Sequence, residues 1–139
     1  MKYILPFIVA FILVSCKTTD ILTYNYKSTT MLGTRTVNIS QDSVVYTYFG
    51  RAESTRTARS TSPQEWIELK ASMKNVKLNE IADLKAPSNR RATDASPFGS
   101  IQLTTKDSTY NSASFDGYMP NKMLVPLMTV IEKIANTNN

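Results

Sequence analysis

Residues 36–49 read TVNISQDSVVYTYF. Val37 and Ile39 alternate with Thr36, Asn38 and Ser40, so an extended chain here has one apolar and one polar face. Gln41-Asp42 supplies a tight turn. Val44 to Phe49 is then almost entirely β-branched or aromatic, which suits a pleated, half-buried surface. Two such runs around a short turn predict an antiparallel hairpin with one packed face and one wet face. The two-residue period sets Tyr46 and Tyr48 on one face and Val45, Thr47 and Phe49 on the other. The pattern alone leaves open which face is inward. Turned out, the tyrosines form a contact stripe for a carbohydrate or a protein; turned in, they are core.

The hairpin sits in a longer run of strand-like segments. Ile21 to Tyr26 is apolar and aromatic, and Met31 to Gly33 extends or bounds it. After Gly50 come Arg51, Arg56 and Arg59 among Thr, Ser and Ala, with 56–60 as an edge strand whose charges discourage pairing with other chains. Arg56 and Arg59 are candidates for an anion-binding surface, against the plainer reading of a solvated edge.

Ser62-Pro63-Gln64-Glu65 marks the start of a helix. Ser62 is the cap, Pro63 occupies the first helical position, and Glu65 completes a capping box. Trp66, Leu69 and Met73 follow at helical spacing and should face the sheet, with Val76 next in the series. Leu78, Ile81 and Leu84 suggest a second short turn, stopped before Pro87. Residues 87–97, PSNRRATDASP, read as the largest loop; Arg90 and Arg91 there either hold a phosphate or carboxylate, or pair internally with Asp94. Phe98 to Thr105 and Ser108 to Phe115 predict a second hairpin turning at Lys106-Asp107, with Asp116-Gly117 ending it. Leu124, Leu127, Met128, Ile131 and Ile134 make the stripe of a closing helix whose regular part begins near Val125, because Pro126 fits only a first turn. The expected fold is α+β: an antiparallel sheet of about five to six strands with the Trp66 and Leu124–Ile134 helices packed on one face.

The N-terminus has a different composition. Lys2 precedes an apolar, uncharged run from Tyr3 to Val14, too short for the roughly 20 residues of a membrane-spanning helix. A charged start, a short apolar segment and small residues at its end are the marks of a secretion signal. At its boundary stands Leu13-Val14-Ser15-Cys16, which resembles the bacterial lipobox. The resemblance implies cleavage before Cys16 and attachment of acyl chains, palmitate among them, to the new N-terminus. The expected division is a signal peptide 1–15, a lipid-anchored tether 16–20, one α+β domain 21–136 and a disordered tail 137–139. Cys16 is the one Cys of the chain, which excludes an intrachain disulfide. Lys17, rather than an Asp, after Cys16 points to the outer membrane, with the domain facing the periplasm and the cell surface as the other option.

Removing Lys2 from 16 basic residues leaves 15 against 11 acidic ones, too mild and dispersed a balance to define a partner. A secreted chain argues against nucleic acid. The chain has no His, which removes a Ser-His-Asp triad, an imidazole metal ligand and a histidine pH switch. No spacing predicts a metal site or a cofactor. The expected role is non-catalytic: binding, inhibition or an accessory function, with an envelope protein or glycan as partner and the membrane reached through the anchor. The alternatives are a small envelope hydrolase, which needs Asp94, Asp116 or Glu53 to converge, and a purely structural lipoprotein.

Beyond the lipobox, the chain resembles small uncharacterised lipoproteins of Bacteroidota. The matching positions are Asp42-Ser43 in the early hairpin, Trp66 near a helix start, Leu84-Lys85-Ala86-Pro87, Arg90 or Arg91 with Asp94, and Phe115-Asp116. Ala95 departs from the pattern by standing where a Gly would follow the Asp. The resemblance implies no activity and no catalytic residues.

Overall fold

The computed structural model describes residues 20–137. The expected signal peptide 1–15, the expected lipidation site Cys16, most of the expected tether 16–20 and the last two residues lie outside the described residues. The chain runs through β1 (Ile21–Thr29), β2 (Gly33–Ser40), β3 (Ser43–Gly50), β4 (Ser54–Ser60), α1 (Pro63–Ser72), β5 (Phe98–Thr105), β6 (Thr109–Asn111), β7 (Phe115–Asp116) and α2 (Val125–Asn136). Short 3-10 turns occupy Leu78–Asp83, Arg90–Thr93 and Lys122–Leu124. Among the described residues the strands form one seven-stranded antiparallel sheet, ordered β4-β3-β2-β1-β5-β6, with β7 also paired to β5. The α+β architecture expected from the sequence is the one observed.

The opening hairpin pairs Val37 with Tyr46 and Ile39 with Val44 across the Gln41-Asp42 turn. Val37, Ile39 and Val44 are buried, so the even-numbered face of β3, which carries Tyr46 and Tyr48, points to the helices. The adjoining rows continue this face through Tyr24 and Tyr26 of β1 to Leu103 and Ile101 of β5. The opposite face is wet and polar; Asn25, Lys27, Thr34, Thr36, Ser100 and Gln102 line a shallow depression there. The hydroxyls of Thr36 and Thr47 bond each other across β2 and β3.

The helix signals act as the residues suggest. The Glu65 backbone N–H donates to Ser62 Oγ at 3.2 Å, and the Ser62 N–H donates back to Glu65 Oε2 at 2.9 Å. Leu69 is buried, and Trp66 meets Tyr24 edge-to-face at 5.6 Å. The helix stops at Ser72 with Met73 as its cap, so Val76 belongs to the turn that follows. Leu124, Leu127, Met128, Ile131 and Ile134 are all buried, and α2 begins at Val125 with Pro126 in its first turn. Thr137, expected in the tail, closes α2: its backbone N–H and hydroxyl both donate to the Lys133 carbonyl.

Two local expectations need correction. The return strand 108–115 is broken, with β6 ending at Asn111 and β7 starting at Phe115. Ser112 ends the ladder, because the Ile101 N–H donates to Ser112 Oγ at 3.0 Å instead of to a main-chain carbonyl. The internal partner of Arg91 is Asp116, not Asp94. Asp94 adopts the left-handed φ of +56° itself, so the turn needs no glycine at 95.

Candidate functional site

The candidates fall into groups according to what the sheet does with them. Arg56 and Arg59 are three apart on β4, and an odd spacing in a strand sends them to opposite faces. Arg56 is exposed on the wet face, opposite Thr47. Arg59 faces the helices. Its Nη1 donates to Glu65 Oε2 at 2.9 Å, its Nη2 to Glu65 Oε1 at 2.7 Å, and Nη2 also to the Ile134 carbonyl at 3.2 Å. One guanidinium thus joins the edge strand to both helices. The Arg59 bonds, strengthened by that from the Ser62 backbone, pull the Glu65 carboxyl down to about 2.

The Arg90-Arg91 pair does hold a carboxylate, and it is the chain's own. The backbone N–H groups of Arg90 and Arg91 donate to Asp116 at 2.8 and 2.9 Å, the Arg91 guanidinium at 3.0 Å, and the Ser88 hydroxyl completes the set. Asp116 is fully buried. Burial pushes its carboxyl up, but the bonds from Ser88, from the two backbone N–H groups and from Arg91 outweigh that and hold it well below the usual carboxylate range. The 3-10 turn at Arg90–Thr93 is therefore a clasp that ties the long loop to β7. The Arg90 side chain is exposed and reaches toward the Ala95 carbonyl at 3.5 Å.

Asp116, one of the acids weighed for hydrolysis, is thereby engaged in the fold. Asp94 is exposed at the end of the same turn, and Glu53 is exposed in the β3–β4 turn. Among the described residues no group of three or more His, Cys, Asp or Glu is arranged to hold a metal ion. No helix there is long and apolar enough to cross a membrane.

Of the two alternatives the structure turns Tyr46 and Tyr48 inward, on the helix-facing side of the sheet, where Tyr46 packs against the core; both are half-buried and so keep some exposed surface. Two residues the sequence reading missed join them. The Arg35 guanidinium sits 5.8 Å from the Tyr46 ring centre and donates to the Tyr118 hydroxyl. Tyr118 in turn packs on Tyr26 at 5.2 Å, and the Tyr26 hydroxyl donates to the Gly117 carbonyl at 2.8 Å. Tyr48 lies flat along the strand end: a Cβ on Gly50 would come within 2.6 Å of its hydroxyl oxygen. The result is a patch of Arg35, Tyr46, Tyr48 and Tyr118, with rings for stacking and a guanidinium for a polar group. Arg35 was hidden by lying outside the hairpin's apolar alternation, and Tyr118 by following a turn signal.

Two concavities lie at opposite ends of β1. At the far end of β1, a cleft of about 500 Å³ lies between the β1–β2 turn and the 94–98 segment, with Met31, Leu32 and Phe98 exposed beside it. At the end where β1 begins, a larger cleft of about 720 Å³ opens between the C-terminal end of α1, the segment that follows it and β6. No protein-family model matches the chain, and no match was found among curated proteins.

Proposed function

We propose that the chain is a lipid-anchored envelope protein that binds a partner rather than catalysing a reaction. The observation that carries this reading is Leu13-Val14-Ser15-Cys16 at the end of the one long apolar run, five residues before β1. A thiol at that place is the acceptor a lipobox presents. A single acyl chain anchors only marginally, so two or three make a durable attachment. From Cys16 to Ile21 the chain spans at most about 18 Å, which keeps the start of β1 close to the bilayer. Lys17, rather than an Asp, after the Cys supports the outer membrane, and the single acid in Lys17-Thr18-Thr19-Asp20 supports the periplasmic side over the cell surface.

The binding role draws support from the Arg35, Tyr46, Tyr48 and Tyr118 patch. It offers aromatic area and a cation, the combination that recognises a sugar ring or a protein loop. Metabolic labelling with an alkyne fatty acid tests the anchor. Wild type should take the label and fractionate with membranes, and Cys16→Ala should do neither. Equal labelling of the two refutes it.

A further inference from the structure

The cleft beside the start of β1 has two chemically distinct parts. Its walls are apolar: Ile21 from β1, Met73 from the end of α1, Val76 and Leu78 after it, and Tyr110 from β6. Its rim is basic, with Lys70, Lys74 and Lys77 around it and Asp20 as the acidic residue among them. The Asp20 carboxylate lies 3.4 Å from Lys70 Nζ, so the rim already accommodates one acid group. Lys77 is paired with Glu80 at 3.0 Å, whereas Lys74 has no ion pair among the described residues.

Tyr24 supplies an independent sign. It lines the same cleft and is fully buried, yet its hydroxyl has no hydrogen-bond partner among the described residues. Buried polar groups are almost always satisfied, so an orphaned hydroxyl at a cleft calls for a partner that the described residues do not supply. Burial first, and the charge of Asp20 second, push this hydroxyl above the ordinary tyrosine value. The volume falls within the roughly 300–1,000 Å³ of small-molecule sites, which are mostly apolar with a few placed polar groups.

We propose that this cleft binds an acidic amphiphile, its hydrocarbon chain along Ile21, Met73, Val76, Leu78 and Tyr110 and its anionic head at the lysine rim within reach of the Tyr24 hydroxyl. Lysine stems cover apolar surface while their ammonium groups meet an anion, so the rim serves both halves of such a ligand. The cleft shares no residue with the Arg35, Tyr46, Tyr48 and Tyr118 patch, so the inference adds a second site and rests neither on that patch nor on the anchor. A free fatty acid and an acidic phospholipid share this chemistry.

The full-length protein in a non-ionic detergent, exposed to a photoactivatable alkyne palmitic acid and mapped by peptide mass spectrometry, tests it. Crosslinks should fall on residues 73–78 and Tyr110. Oleate or phosphatidylglycerol should compete, whichever competes at lower concentration identifying the source, and an uncharged monoacylglycerol should not. Lys70→Glu with Lys74→Glu should lower cleft labelling at least five-fold while the circular dichroism spectrum is kept. Tyr24→Phe should lower labelling while raising the melting temperature, since it deletes an unpaired hydroxyl; unchanged labelling would contradict the assigned head-group position. Labelling spread over the surface, or equal competition by the neutral lipid, overturns the proposal. Repeating the mapping on Cys16→Ala separates the two readings: cleft labelling should persist there even if the anchor is lost.

Discussion

Replacing Glu65 by Gln tests whether Arg59 is a structural residue or an available anion-binding group. The carboxylate accepts two bonds from Arg59 and one from the Ser62 backbone, at 2.7 to 2.9 Å. Its carboxyl is pulled from 4.5 to about 2, worth about 3 kcal/mol at full weight. Solvent still reaches the pair, with side chains 27% and 14% exposed, and screening cuts the contribution to about 1–2 kcal/mol. Gln keeps the shape and part of the capping bond, so it removes mainly the charge. The expected loss is about 1–2 kcal/mol in urea denaturation at pH 7, or about 4–8 °C in melting temperature. A folded-state value below the unfolded one stabilises above the unfolded value and fades as pH falls through the folded one. The gap between wild type and Glu65→Gln should therefore be constant from pH 7 to about 5, shrink below 4.5 and close near 2. Arg59→Ala alone and in combination should show a coupling of similar size. A variant within about 0.3 kcal/mol of wild type, or a gap that does not change with pH, refutes the bridge.

Asp116→Asn should release the loop clasp: amide exchange at Arg90 and Arg91 should quicken and protease should cut within 88–97, and in wild type the same opening should appear only at strongly acidic pH, because this carboxyl lies below the usual range. Gly99→Ala should destabilise by about 1–3 kcal/mol in urea, since a Cβ there would lie 2.3 Å from the Gly117 carbonyl and 2.7 Å from the Phe115 ring. Leu69→Ala empties a fully buried position between helix and sheet and should cost about 2–5 kcal/mol, whereas Arg56→Ala on the wet face should stay within about 0.5 kcal/mol, both read from denaturation midpoints.

The features legible in the sequence were those written locally. The 36–49 alternation carries its own turn, the Ser62–Glu65 box satisfies its own backbone, and the Leu124–Ile134 stripe follows one helical period. The hidden features join distant segments. Nothing near Ile21 signals that β1 takes β5 as its second neighbour, and no local pattern links Asp116 to amides 25 and 26 residues earlier. For the same reason two of the proposed arginines were read only by type: strand parity and the nearest carboxylate decided that Arg59 and Arg91 serve the fold. Tyr46 and Tyr48 were placed together correctly, but Arg35 and Tyr118 enter their patch through strand pairing and a turn 83 residues away.

The clefts were invisible for a further reason. An apolar wall made of Ile21, Met73, Val76, Leu78 and Tyr110 draws one or two residues from each of several elements, so no segment of it looks unusual. Its lysine rim comes from the end of α1 and the residues after it, where basic residues are expected to oppose the helix dipole. The orphaned Tyr24 hydroxyl is what sets this cleft apart from an ordinary solvated helix end.

Intact-mass measurement of the protein extracted from cell membranes tests the central claim most directly. The expected product is a chain beginning at Cys16, heavier than residues 16–139 by a diacylglyceryl group, with or without a third acyl chain. The full 1–139 mass, or an unmodified Cys16 at a cleaved terminus, would contradict it.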